Sequence, residues 1–220
     1  MKKLIVVVVL ATVCICALEL RETNRKANRK VNFDLLQSAT VVITDGFGFG
    51  SGAIVTEDGL ILTAGHVVDM SPSKVILADG NEYEIVAQWR SINYDVGFVK
   101  IDANDLPVLP FANVLPNVGD IVYLCGSPYD MELFSTVTMG IVSFVDREWW
   151  EYPDGTIQTD AEGAGGSSGG PLVNSDGMIV GICVAGPNNG GGVTICEGLE
   201  HIKRALKQFS DYLIEKENES

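Results

Sequence analysis

Gly166-Ser167-Ser168-Gly169-Gly170-Pro171 is a glycine-rich turn holding two serines, and Gly170-Pro171-Leu172-Val173 carries it straight into an apolar strand. That strand pins the turn to a core, which a plain serine–glycine loop lacks. Serine is a poor nucleophile at neutral pH and needs an adjacent base to take its proton. Glycines let backbone N–H groups turn toward one point, where an oxyanion would form. Well upstream, Leu62-Thr63-Ala64-Gly65-His66 places a histidine behind a second apolar segment. Either stretch alone is a weak signal; together, in this order, they point to nucleophilic acyl transfer.

Register within the turn selects the nucleophile. The residue two before it should be glycine, so that its N–H faces the oxyanion. Ser168 meets this, with Gly166 and Ser168 as the two donors, whereas Ser167 would place Gly165 there and leave Gly169 on the other side. The chain has only two histidines, and His201 lies beside Glu200 and Lys203 in a terminal helical pattern that suits a solvated surface role. His66 is therefore the expected base. The carboxylate that orients it is expected at Asp95, which opens the alternating strand Asp95-Val96-Gly97-Phe98-Val99-Lys100-Ile101; Asp102, at the far end, is the rival and suits the start of a turn.

Around these residues run short apolar segments rich in valine and isoleucine, near 39–44, 51–56, 60–64, 74–78, 83–89, 96–101, 120–125, 135–145, 156–159, 170–174, 178–185 and 192–196. Turn signals separate them: Asp58-Gly59, Asp79-Gly80-Asn81, Asp154-Gly155, Asp176-Gly177 and Asn188-Asn189-Gly190. This spacing predicts an all-β sandwich or pair of barrels, not a parallel βα fold. The proline-bearing stretch 106–116 is the expected connector between two halves. Leu199, Ile202, Leu206, Phe209 and Leu213 recur at helical spacing, predicting a terminal amphipathic helix over 198–216 that docks on the second half.

The 220 residues suit one domain or two small ones, and a formal charge of -14 with a pI near 4.4 argues against nucleic acid as partner. Met1-Lys2-Lys3 and the apolar run 4–18 read as a signal peptide ending at Ala17, with an uncleaved membrane tether as the alternative; Arg21, Arg25, Lys26, Arg29 and Lys30 follow in a polar, basic linker over 18–32. Cys14 is a poor lipid-attachment site because Val13 precedes it. Cleavage would leave Cys125, Cys183 and Cys196, read as small buried hydrophobes, with a Cys183–Cys196 bridge across a hairpin as the alternative. No cysteine–histidine cluster has zinc-ligand spacing, so neither metal nor organic cofactor is expected.

The residues carry a resemblance to the trypsin-like (chymotrypsin-fold) serine proteases, nearest the HtrA/Deg group. It rests on Gly50-Ser51-Gly52-Ala53-Ile54-Val55, on 62–68 and 95–101, on Val118-Gly119-Asp120, Gly126-Ser127-Pro128 and Thr136-Val137-Thr138-Met139-Gly140-Ile141-Val142-Ser143, and on Ile157-Gln158-Thr159-Asp160-Ala161 and 166–174. The resemblance implies an all-β fold of two six-stranded antiparallel β-barrels with a C-terminal helix, forming a protease domain over 33–216 (first barrel about 33–105, second about 117–197). It implies endopeptidase activity on polypeptides, the catalytic roles above, substrate contacts from Glu162, Gly163, Val184, Ala185 and Gly186, and a trimer by analogy; export, or membrane anchoring, is the expectation from the N-terminal segment. The group usually carries a peptide-binding PDZ domain after the protease domain, and none is expected here; the loop after Pro128 is short, and Ser167 stands where the group usually has asparagine. Digestive relatives place there an aspartate that receives a freed N-terminal ammonium, so no activation cleavage is expected. Glu162, six residues before Ser168, would favour Lys or Arg before the scissile bond if buried; the HtrA group prefers small apolar residues. Trp149, Trp150 and Tyr152 form a candidate peptide-binding lip or cap on the second barrel.

Overall fold

The computed structural model describes residues 31–147, 155–186 and 192–218. The expected signal segment, the aromatic cluster Trp149, Trp150 and Tyr152, and the turn signal Asn188-Asn189-Gly190 lie outside the described residues.

Each apolar run becomes a strand. In the first barrel these are β1 (Thr40–Thr44), β2 (Phe49–Ile54), β3 (Leu60–Thr63), β4 (Lys74–Ile76), β5 (Glu82–Arg90) and β6 (Gly97–Ile101). They close in the order β1-β2-β3-β6-β5-β4, because β1 pairs with both β2 and β4. The second barrel holds β7 (Ile121–Gly126), β8 (Thr136–Val145), β9 (Thr156–Thr159), β10 (Pro171–Asn174), β11 (Ile179–Ala185) and β12 (Thr194–Gly198), closed as β10-β11-β12-β9-β8-β7. Closure leaves neither sheet an unpaired edge. The interiors are filled by residues with no exposure, among them Ile43, Ile61, Leu62 and Ile101 in one barrel and Leu172, Ile179 and Ile182 in the other. β5 instead alternates, turning Glu82, Glu84 and Val86 to solvent.

The stretch between the barrels is laced to both. Leu106 N–H donates to Glu57 O (3.2 Å) and Leu109 N–H to Ile54 O (3.0 Å) on the first. On the second, Ala112 N–H donates to Ile179 O (2.9 Å), Ile179 N–H donates to Pro110 O (2.8 Å), and Phe111 bridges Ile179 in parallel.

Among the described residues, three α-helices and a one-turn 3-10 helix (Met131–Leu133) complete the fold. Helix α1 (Phe33–Ser38), capped by Asn32, sends Gln37 onto the second barrel, where Gln37 and Ser135 exchange side-chain-to-carbonyl hydrogen bonds of 3.0 and 2.9 Å. Helix α2 (Gly65–Asp69) is a single turn at the end of β3. Helix α3 (Leu199–Asn218) packs on the second barrel, as expected, and also reaches beyond it. Its first turns bury Leu199 and Ile202, but its apolar stripe outruns the second barrel. Phe209 reaches the first barrel, stacking on Trp89 (5.4 Å) and Phe98 (5.2 Å).

Candidate active site

The end of β3 swings directly into α2, and the one-turn helix presents His66 beside the loop that leads into β6. Asp95 sits in that loop and grips the histidine twice. His66 N–H donates to Asp95 Oδ1 (2.8 Å), and His66 Nδ1 lies 2.7 Å from Asp95 Oδ2. An ionised carboxylate only accepts, so this contact puts the ring proton on Nδ1 and leaves Nε2 as the acceptor. The imidazole is 43% exposed and the Asp95 carboxylate 15%, so the base faces the cleft while the acid sits behind it. Burial pushes the Asp95 carboxyl up. The hydrogen bond and charge of His66, its backbone N–H and the Arg90 charge outweigh that and hold Asp95 below the ordinary aspartate value.

The serine turn packs against the same corner. Ser168 is half-buried, and its carbonyl accepts from Ser51 N–H at 2.7 Å. At Gly169 (φ +83°) a Cβ would lie 2.2 Å from Ser51 O, 2.2 Å from Thr63 Oγ1 and 2.8 Å from Ala64 N, so the turn presses on the strand end two residues before His66. Within the turn, Ser167, Gly169 and Gly170 N–H groups donate to Ala164 O (2.9 Å), Cys183 O (2.7 Å) and Ser167 O (2.9 Å). The N–H groups of Gly166 and Ser168 have no acceptor among the described residues. Gly165 O is tied back by Tyr129 N–H at 2.6 Å. The peptide is planar and trans, so the Gly166 N–H must point the opposite way. Ser51 Oγ locks the next unit by donating to Gly166 O (2.8 Å) while accepting from Ser127 N–H (3.0 Å). Asp102 lies beyond the far end of β6, away from His66.

The expected substrate contacts divide. Glu162 is exposed, with its carbonyl accepting from Thr138 Oγ1 (2.8 Å), so the buried charge that a preference for basic residues requires is absent there. Gly163 faces an apolar floor: a Cβ on it would lie 3.1 Å from Cys183 Sγ, Leu124 Cδ2 and Thr194 Cγ2. Val184 is buried at a register shift between Cys183 and Ala185, and Gly186 is exposed at the end of β11. Cys125, Cys183 and Cys196 are buried free thiols, with Cys183 directly opposite Cys196.

His201 departs from its expected surface role. It is 3% exposed, and its Nδ1 pairs with Glu197, itself wholly buried. The one sequence signal was the four-residue spacing of Glu197 and His201 across the strand-to-helix junction.

A pair of closed antiparallel barrels, with histidine and aspartate on one and a serine turn on the other, defines the chymotrypsin-like class. The chain belongs to the trypsin-like peptidase domain family, whose model matches residues 50–182. Among its relatives are HtrA proteases. A probable periplasmic DegP-like serine endoprotease of Chlamydia muridarum is 37% identical over 147 residues, covering 65% of this chain and 29% of its own length. Human serine protease HTRA4 is 40% identical over 141 residues, covering 60% and 29%. The crystal structure of the serine endoprotease from Yersinia pestis superposes with a TM-score of 0.70 at 30% identity, covering 82% of this chain and 67% of that one. The chain thus spans less than a third of the length of these curated relatives.

Proposed function

We propose that the chain is a serine endopeptidase working through an acyl-enzyme. Ser168 Oγ attacks the scissile carbonyl, and His66 Nε2 takes the hydroxyl proton and returns it to the leaving amine. Asp95 holds the imidazole in register and stabilises its cation. The Gly166 and Ser168 N–H groups receive the oxyanion. A second acyl transfer, to water, frees the enzyme. The observation that carries this reading is the 2.7 Å contact between His66 Nδ1 and Asp95 Oδ2 beside a turn whose Gly166 and Ser168 N–H groups have no acceptor among the described residues. Incubation with a serine-directed peptidyl phosphonate tests it: the wild-type chain is expected to be labelled and Ser168→Ala not. A chain that takes no label under any condition would instead be a peptide-binding module of the same fold.

Two finer assignments follow. No activation cleavage is required: Ser167 is buried, with its Oγ accepting from Ala164 N–H (3.3 Å), and that position holds no carboxylate to receive a freed ammonium. Switching of an inactive full chain by trimming at a defined site would refute this. The residue before the scissile bond is small and apolar, matching the floor of Leu124, Cys183 and Thr194 around Gly163. A peptide-library profile led by Val, Ala or Leu is expected, and one led by Lys or Arg would exclude it. The biological setting we propose is an exported protease of polypeptide quality control or processing, acting as a homo-oligomer. Among the described residues no helix is long and apolar enough to cross a membrane.

A further inference from the structure

The loop 91–95, which carries the candidate triad acid, is held by a row of residues from the other half of the molecule. Glu197, at the end of β12, has no exposed surface, and its Oε1 accepts from the backbone N–H of Asp95 at 2.9 Å. Its Oε2 pairs with His201 Nδ1 one helical turn later. The His201 ring stacks on Tyr94, with centroids 4.4 Å apart and planes at 23°. Further along α3, Arg204 Nη1 donates to Tyr94 Oη (3.1 Å), and Gln208 Nε2 donates to Asn93 Oδ1 (3.0 Å). Ser91 Oγ donates to Gln208 Oε1 (2.6 Å). Residues 201, 204 and 208 follow the spacing of one helical face, and with Glu197 on the preceding strand they meet Ser91, Asn93, Tyr94 and Asp95.

A wholly buried carboxylate–imidazole pair is an expensive way to fill a core. Apolar residues of similar volume are often as stable there or more so. What an apolar pair cannot supply is an acceptor for the Asp95 N–H. That bond fixes the backbone of the residue whose side chain must meet His66 at 2.7 Å.

We propose that Glu197 and His201 are positioning residues for the acyl-transfer site. Glu197 anchors Asp95 through its main chain, and His201 holds Glu197 in the rotamer that does so. The second barrel, which supplies the serine turn, thereby also sets the aim of the acid on the first. This rests on the reading of Ser168, His66 and Asp95 as a working triad.

The test is the full chain with the pair replaced by apolar residues of like volume, E197M/H201F, compared with E197Q, which keeps an acceptor for Asp95. The readouts are thermal stability, kcat and KM on a fluorogenic peptide, and the downfield proton resonance of His66 Nδ1–H. E197M/H201F is expected to fold with an unlowered Tm and to hold KM within ~2-fold, while kcat falls ~10- to 100-fold, as for a catalytic group displaced by a fraction of an ångström. Its His66 proton signal is expected to shift or broaden by exchange. E197Q is expected to restore the signal and most of kcat. A double variant that folds with kcat and the proton signal unchanged would overturn the proposal. So would one that cannot fold, since the pair would then be structural. If the wild-type chain takes no phosphonate, the acyl-enzyme reading fails by itself, while the proton signal still reports whether Glu197 aims Asp95.

Discussion

Gly166 is where a single methyl group would do the most damage. The chain passes through it at φ +93°, and a Cβ there would lie 2.2 Å from Ser127 O and 2.4 Å from the Phe49 ring. Both pressures would swing the peptide that aims the Gly166 N–H. Gly166→Ala is therefore expected to slow phosphonate labelling ~100-fold or more, the usual cost of one oxyanion donor; a rate within a few-fold of wild type would show that this N–H is not used. Asp95 makes a pH prediction. Its folded pKa is lowered, so its contribution to stability is present above the unfolded value, about 4, and disappears as pH falls through the folded one. In denaturant titrations the stability gap between wild type and Asp95→Asn is expected to shrink steadily below about pH 4. Cys125 is pushed up to about 11 by burial, against the hydrogen bonds of Thr40 and the Gly126 backbone. Iodoacetamide at pH 8 is expected to leave it untouched in the native protein and to alkylate it in urea, as read by peptide mass spectrometry. The grouping of His66, Asp95 and the Ser168 turn at one corner was legible in the sequence because each residue sits in a short local pattern: a strand end, the start of a strand, a glycine turn. His201 was not. Its burial is decided by Glu197 and Tyr94, and no periodicity brings Tyr94 to the terminal helix.

At the scale of elements, short β-branched runs bounded by turn residues marked the strands of the described residues, most of them buried along their whole length, with β5 alternating. The small helices were illegible. Helix α2 is one turn long, too short to show a 3.6-residue period, and it exists because the chain must leave β3 sharply to bring His66 back to Asp95. Helix α3 was visible as a stripe docking on the second barrel, but its reach to the first was not. Phe209 closes an aromatic stack with Trp89 and Phe98 that joins it to the first barrel. Phe209→Ala is expected to cost about 3–5 kcal/mol in denaturant unfolding, as for other buried aromatics. A cost below about 1 kcal/mol, typical of surface substitutions, would mean that the helix end does not bear on the barrel.

At the scale of the molecule, the site belongs to neither barrel. His66 and Asp95 come from one and Ser168 from the other, while Ser51 of the first barrel locks Gly166 of the second. What keeps this joint closed includes the lacing at Pro110, Phe111 and Ala112, which engages Ile179 before the chain reaches the exposed pair Val114 and Leu115. The order of these contacts has a practical consequence. A protease site engineered between Val114 and Leu115 would split the polypeptide into one fragment bearing the histidine and aspartate and another bearing the serine, yet the first would keep its finger laid along Ile179 of the second. The nicked protein is expected to elute from a sizing column as one particle and still to take phosphonate, a two-piece enzyme reconstituted without a covalent link.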